Sequence, residues 1–265
     1  MTALHSMTGA ALHVHRYGDP AGEPVVALHG VKGHGARWRR TAERYLADRR
    51  VLAPDLRGHG RSPYEPPWTA ERHVADVLSV LDAEGVERAD LVGHSFGGMI
   101  AVHLARTAPR RVRRLVLLDP AIGLDPADAA REARAAMTPV SFDDRAQARA
   151  DRVARWPDAP DEAVDDEVAD HLGLGPDGRL RWRFEPAAAV AAYSEMARPH
   201  LTPPPGLSTH LVIATRADLV RPEFVADCRA ALGPDLVITE IEAGHMLYVD
   251  REEETGTLLA AWLAK

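Results

Sequence analysis

The chain has 265 residues, 46% of them hydrophobic and 27% charged, with a formal net charge of −7. That length can bury a full core, and the acidic balance gives no general attraction to nucleic acid or acidic lipid. A single cysteine, Cys228, excludes an internal disulfide and fits a reducing compartment.

Short apolar runs alternate with helical patterns along the chain, which predicts an α/β fold with a mostly parallel sheet. ALHVHRYG, near Leu12, alternates like an edge strand, and VVALHG (25–30) reads as the first buried one. A helix over 35–47 leads to the strand RVLAPD (50–55), followed by the turn-rich DLRGHGRS (55–62), which is expected to support a site without chemistry of its own. Helix 69–84, strand DLVGH (90–94) and helix 96–107 come next, and Pro109 ends that helix. RLVLLD (114–119) is a further strand.

The rhythm then stops from 121 to 205, a stretch rich in Ala, Arg, Asp and Pro, without a strand-like run, that ends in the stiff TPPPG. It is expected to be a helical insertion lying over the strand ends. HLVIAT (210–215), helix 222–232, LVITEI (236–241) and helix 251–263 complete the chain. Asp250 with Glu253 suggests a capping box for the last helix. No run approaches about 18 apolar residues, and the N-terminal MTALHSMTGAALHVHRYGD lacks the basic-then-apolar order of a signal segment; no membrane span and a cytoplasmic location are expected.

LVGHSFGGMI (91–100) carries an apolar strand directly into Ser95, flanked by Gly93 and Gly97. A serine on a sharp strand-to-helix turn projects its hydroxyl above the sheet, and the crowded positions two before and two after must be small. The next helix aims its N-terminal amides at the same place, where they favour negative charge. Serine needs a base to take its proton. Among thirteen histidines, His245, in EAGHMLYVD after the strand LVITEI, lies on a loop at a strand end, the edge where parallel sheets gather their sites. A carboxylate should orient that imidazole. Asp218, just beyond HLVIAT, is the first choice by chain order, and Asp119, at the end of RLVLLD, is its competitor. Two backbone donors are needed for an oxyanion, and the amides of Phe96 and Val31 are placed to supply them.

The set HGVKGHGARW, APDLRGHGRS, GHSFGG, LVLLDPA, RAD and GHM, in this order and spacing, resembles the α/β-hydrolase superfamily, and most nearly its small bacterial lipase/esterase-type members. The resemblance spans nearly the whole chain. It implies an α/β-hydrolase fold: an eight-stranded, mostly parallel sheet flanked by helices, with a helical cap inserted after the sixth strand. The core would then be 1–120 and 206–265, and the cap 121–205. It also implies Ser95 as nucleophile, His245 as base, Asp218 as the usual acid with Asp119 still open, and Val31 and Phe96 as the oxyanion hole. Relatives with an aspartate nucleophile would need Asp at position 95.

The expected activity is hydrolysis of carboxylic esters of small or medium-sized apolar substrates through an acyl-enzyme. Cleavage of a carbon–carbon bond in a diketone, of an amide, or ligand capture with little turnover are the alternatives. Substrate contact is assigned to His29, Gly30, His94, Trp156, Trp182, Tyr193 and Met246; the aromatic residues of 121–205 are expected mainly to pack, with some lining an apolar pocket. His13 and His15 alternate on one strand face, but no cysteine partner or His-Glu-x-x-His pattern accompanies them, so no metal is expected. HGVKGHG opens no phosphate-binding fingerprint, and no cofactor is expected. The expected partner is a small-molecule ester; the sequence leaves the oligomeric state open.

Overall fold

Strand residues that alternate between two buried faces build the centre of the computed structural model, which describes residues 11–138 and 140–265. The first ten residues, on which the signal-segment reading partly rests, and Pro139 lie outside the described residues. In chain order the elements are β1 (Val14–Gly18), β2 (Pro24–Leu28), α1 (Arg39–Tyr45), β3 (Arg50–Pro54), α2 (Ala70–Ala83), β4 (Ala89–His94), α3 (Phe96–Thr107) and β5 (Val112–Leu118). Then follow α4 (Pro126–Ala136), β6 (Ser141–Phe142), α5 (Arg145–Arg155), α6 (Asp161–His171), β7 (Leu172–Leu174), β8 (Leu180–Trp182) and α7 (Pro186–Met196). The chain closes with β9 (Thr209–Ala214), α8 (Pro222–Leu232), β10 (Leu236–Ile241), α9 (Leu247–Asp250) and α10 (Glu252–Leu263).

The main sheet runs β1-β3-β2-β4-β5-β9-β10, with β1 antiparallel at one edge and every other pair parallel. It has seven strands among the described residues, where the family resemblance implies eight. Val26, Leu28, Leu91, Leu115 and Leu211 face one apolar layer with residues of α2, α3 and α8, whereas Val25, Ala27, Val92, Val116 and Val212 face another with α1 and α10. Burial on both faces makes these strands read as continuous apolar runs in the sequence.

Between β5 and β9 the chain leaves the sheet. Helices α4 to α7 dominate that segment, and it holds a second sheet, β6-β8-β7, that the sequence did not announce. Its strands are two or three residues long, too short for an alternating pattern to register. Phe142, Ala148, Val168, Leu172 and Trp182 give the segment a small apolar core of its own. The last helix also differs from expectation: Asp250 closes α9, and α10 starts from Arg251 without a side-chain cap.

The turn between β4 and α3 requires missing side chains. A Cβ on Gly93 would meet the Gly97 carbonyl oxygen at 2.5 Å, and one on Gly97 would meet the Leu28 carbonyl carbon at 2.6 Å. Both obstacles are backbone and cannot swing aside. Gly97→Ala should therefore destabilise the fold by roughly 2 kcal/mol, the usual scale of overpacking, read as a lower calorimetric Tm; an unchanged Tm would refute the close approach.

Candidate active site

Ser95 sits between β4 and α3 with φ at 55° and ψ at −120°, a left-handed conformation that costs a non-glycine residue energy. The fold holds it there from both sides. Its amide donates to the Leu118 carbonyl at 3.1 Å, and its carbonyl accepts from the amides of Ala121, Gly98 and Met99. Ser95 occupies the N-cap position of α3, yet its hydroxyl makes no capping bond and borders a cavity of about 410 Å³. His245 borders the same cavity from the loop between β10 and α9.

The partner of His245 corrects the first choice made from the sequence. Its Nδ1 donates to Asp119 Oδ2 at 2.6 Å, and Asp218 forms no hydrogen bond with it. Asp119 lies just past β5, fully buried at φ 42°, and its other carboxylate oxygen accepts the Ala214 amide at 3.0 Å. Its own amide donates to the Val212 carbonyl at 2.7 Å, so β9 grips both ends of the residue. Asp218 stands at the end of β9 instead, exposed on the cavity wall at φ 48°, with no ion pair among the described residues. Chain order could not separate the two, because neighbouring parallel strands deliver both carboxylates to the same sheet edge.

The loop after β2 approaches the serine closely. A Cβ on Gly30 would lie 2.9 Å from Ser95 Cβ, so no larger residue fits beside the hydroxyl. Gly30 to Gly33 form a tight turn closed by the Gly33 amide on the Gly30 carbonyl at 3.0 Å, with Lys32 at φ 58°. The Val31 and Phe96 amides donate to no backbone carbonyl among the described residues, which leaves both available to a bound oxygen. Asp55 steadies this region by accepting the Gly35 amide at 2.6 Å and the Arg61 amide at 2.8 Å.

Two histidines back this arrangement in neutral form. His29 Nε2 accepts the Leu56 amide at 2.8 Å, which places the ring hydrogen on Nδ1, where it donates to the Gly30 carbonyl at 2.8 Å. Burial, followed by the nearby His59, holds its pKa well below the usual histidine value. His29 is thus behind the turn and does not line the cavity, contrary to the substrate contact expected of it. His94 does line it. Its Nε2 donates to the His245 carbonyl at 2.8 Å, and burial, then His245, keeps its pKa far down.

Of the other expected contacts, Gly30, Tyr193 and Met246 line the cavity. Trp156 and Trp182 do not: they sandwich the Arg152 guanidinium, at 4.5 and 4.2 Å from the ring centroids. Their burial serves a cation inside the inserted segment, which composition could not reveal. The sequence reading missed Leu124, Leu219 and Arg221 on the cavity wall. Their signal was position alone, just past the ends of β5 and β9.

Asp250 lies behind the His245 loop, and its Oδ2 would be 2.9 Å from a Cβ on Gly244. Burial first, then the Asp158 charge, raises its pKa to about 6. A carboxyl group whose native pKa exceeds its unfolded value binds its proton more tightly when folded, so it removes stability as pH rises from about 4 through about 6. Asp250→Asn should accordingly raise Tm relative to the parent at pH 8, with a smaller gain at pH 4.5, by scanning calorimetry. A gain independent of pH would contradict the shift.

The comparisons with known proteins agree with this fold. A family model described as alpha/beta hydrolase fold matches residues 23–165. Lipase LipV of Mycobacterium tuberculosis is 38% identical over 258 residues, covering 95% of this chain and 97% of that protein. A 2-hydroxymuconate semialdehyde hydrolase of Pseudomonas sp. is 42% identical over 115 residues, 41% of this chain and 40% of its own length. The crystal structure of E-2-(acetamidomethylene)succinate hydrolase superposes with a TM-score of 0.81 at 25% identity, covering 96% of this chain and 95% of that one. Among the described residues no helix is long and apolar enough to cross a membrane.

Proposed function

The chain belongs to the α/β-hydrolase family, and from that premise we propose that it hydrolyses carboxylic esters with Ser95 as nucleophile, His245 as base and Asp119 as the orienting acid. One observation carries the reading: His245, held by the buried Asp119 behind it, and the uncapped Ser95 hydroxyl border one cavity. A carboxylate on Nδ1 leaves Nε2 as the free base, the tautomer that the chemistry needs.

In the reaction Ser95 Oγ attacks the ester carbonyl carbon while His245 takes its proton. The carbonyl oxygen becomes an oxyanion held by the Val31 and Phe96 amides. Collapse breaks the carbon–oxygen bond, and His245 returns the proton to the departing alkoxide. Water, deprotonated by His245, then attacks the acyl-enzyme and releases the acid and Ser95. Residues 121–205 act in this reading as the cap, and Tyr193 and Met196 from α7 supply part of the apolar wall.

An ester rather than an acidic substrate is supported by the charge of the wall. Asp125, Asp128, Glu132 and Asp218 border the cavity against Arg37, Arg131 and Arg221. Arg37 is already paired with Glu167 and Arg131 with Asp128, so Arg221 is the one cation of the three without an ion pair among the described residues. A carboxylate substrate would meet mostly like charge. The match to a 2-hydroxymuconate semialdehyde hydrolase favours carbon–carbon cleavage as the second reading.

Ser95→Ala should lower turnover of a short p-nitrophenyl ester by roughly 10⁶-fold at unchanged Tm; retained turnover would end the proposal. Asp119→Asn should cost about 10⁴-fold, and Asp218→Asn far less, both read as kcat on the same ester. The opposite ranking would return the acid to β9. A parallel assay with a vinylogous diketone acid separates the two substrate readings.

A further inference from the structure

Resting on the serine-hydrolase reading, we propose that Arg37 is a positioning residue that sets the oxyanion turn, and that Glu167 of the inserted segment holds it in place. The turn Gly30–Gly33 presents the Val31 amide, and its shape depends on where the Gly30 and Lys32 carbonyls point. The Gly30 carbonyl is fixed by His29 Nδ1 and the Gly33 amide. The Lys32 carbonyl is taken by Arg37 Nη2 at 3.2 Å. A Cβ on Gly33 would lie 2.8 Å from Arg37 Nη1, so the guanidinium packs closely against the turn.

The other edge of the same guanidinium is fastened to α6. Arg37 Nε and Nη2 donate to Glu167 Oε2 and Oε1 at 2.9 and 2.6 Å, a two-point fork that fixes orientation as well as distance. Glu167 is buried and also accepts from His34 Nε2 and His171 Nδ1, each at 2.9 Å, with Arg152 Nη2 at 3.3 Å. Burial alone would raise this carboxyl's pKa, but Arg37 foremost, with His34 and Arg152, holds it well below the ordinary range. The ion therefore stays charged, and its partners cannot leave without exposing a buried charge.

His34, Glu167 and His171 place ligand atoms within 4.8 Å of one another, a spacing that could suit a divalent cation. Two guanidiniums already face that carboxylate, and their charge opposes a second cation, so the cluster reads as a clamp. A further contact joins the turn to the insertion: Lys32 Nζ lies 5.3 Å from the centroid of the Tyr193 ring on α7. The insertion thus reaches the oxyanion donors through the Arg37 side chain. Seating of α6 and the pose of the Val31 amide are one event.

Arg37→Lys keeps the charge but cannot bridge Glu167 Oε1, Oε2 and the Lys32 carbonyl together. Glu167→Gln keeps the carboxylate's shape and removes its charge. Both are compared with the parent and Ser95→Ala on a short p-nitrophenyl ester, at temperatures where circular dichroism matches the parent, together with inhibition by phenylboronic acid, whose tetrahedral adduct on serine uses the oxyanion donors. A mispositioned donor acts only on the tetrahedral state, so kcat should fall about 10- to 100-fold in each variant while KM changes less than about threefold. The boronate Ki should rise in step with the loss of kcat. Parent kcat in the folded Arg37→Lys protein, or a rise in KM alone, overturns the positioning role. Turnover surviving in Ser95→Ala overturns the serine-nucleophile reading itself, so the two failures are told apart.

Discussion

The site exists because two backbones approach each other with nothing between them. Gly93, Gly97 and Gly30 each occupy a point where a methyl group would collide with the chain or with Ser95. Only that closeness lets the β4–α3 turn take its strained φ and bring the serine hydroxyl beside the turn after β2. The energy of the strain is offset by ordinary sheet and helix bonds: the Ser95 amide continues the ladder to Leu118, and its carbonyl starts α3. A rigid core on both sides of the sheet keeps the approach from relaxing.

The acid illustrates how a parallel sheet distributes its chemistry. Every strand end delivers a residue to one edge, and the choice among them is made by burial and hydrogen bonding. Asp119 is fully buried and gripped by β9 through Oδ1, which aims its other oxygen, Oδ2, at His245. Asp218 extends from the same edge into the cavity, where it adds charge to the wall. The buried neutral histidines His29 and His94 complete the support. Both spend one ring nitrogen on a backbone carbonyl, and neither adds positive charge beside the base.

The inserted segment contributes more than a covering. Its apolar residues Tyr193 and Met196 form cavity wall, whereas its Arg152 and His171, together with His34 and Arg37 from the main domain, converge on Glu167, behind the turn that bears Val31. Trp156 and Trp182 pack on the Arg152 guanidinium, which explains why aromatic residues so far from the serine are buried. In the proposed reading, substrate shape and oxyanion geometry are governed by this one piece of chain.

The sequence by itself determined the α/β class, the strands of the main sheet and the serine turn, and it singled out His245 past a strand end. Those features depend on local pattern: apolar runs buried on both faces, glycines at fixed offsets from a serine, a histidine just past a strand. It also narrowed the acid to Asp119 or Asp218. The tertiary structure brings Asp119, not Asp218, onto the His245 imidazole, because the distance from a strand end to an imidazole is set by sheet order and by which amides claim the carboxylate. It alone exposed the short strands of the insertion, the misassigned Trp156, Trp182 and His29, and the pairing of Arg37 with Glu167 across 130 positions of chain. Contacts of that separation arise only when packed elements meet, and no periodicity within either segment encodes them.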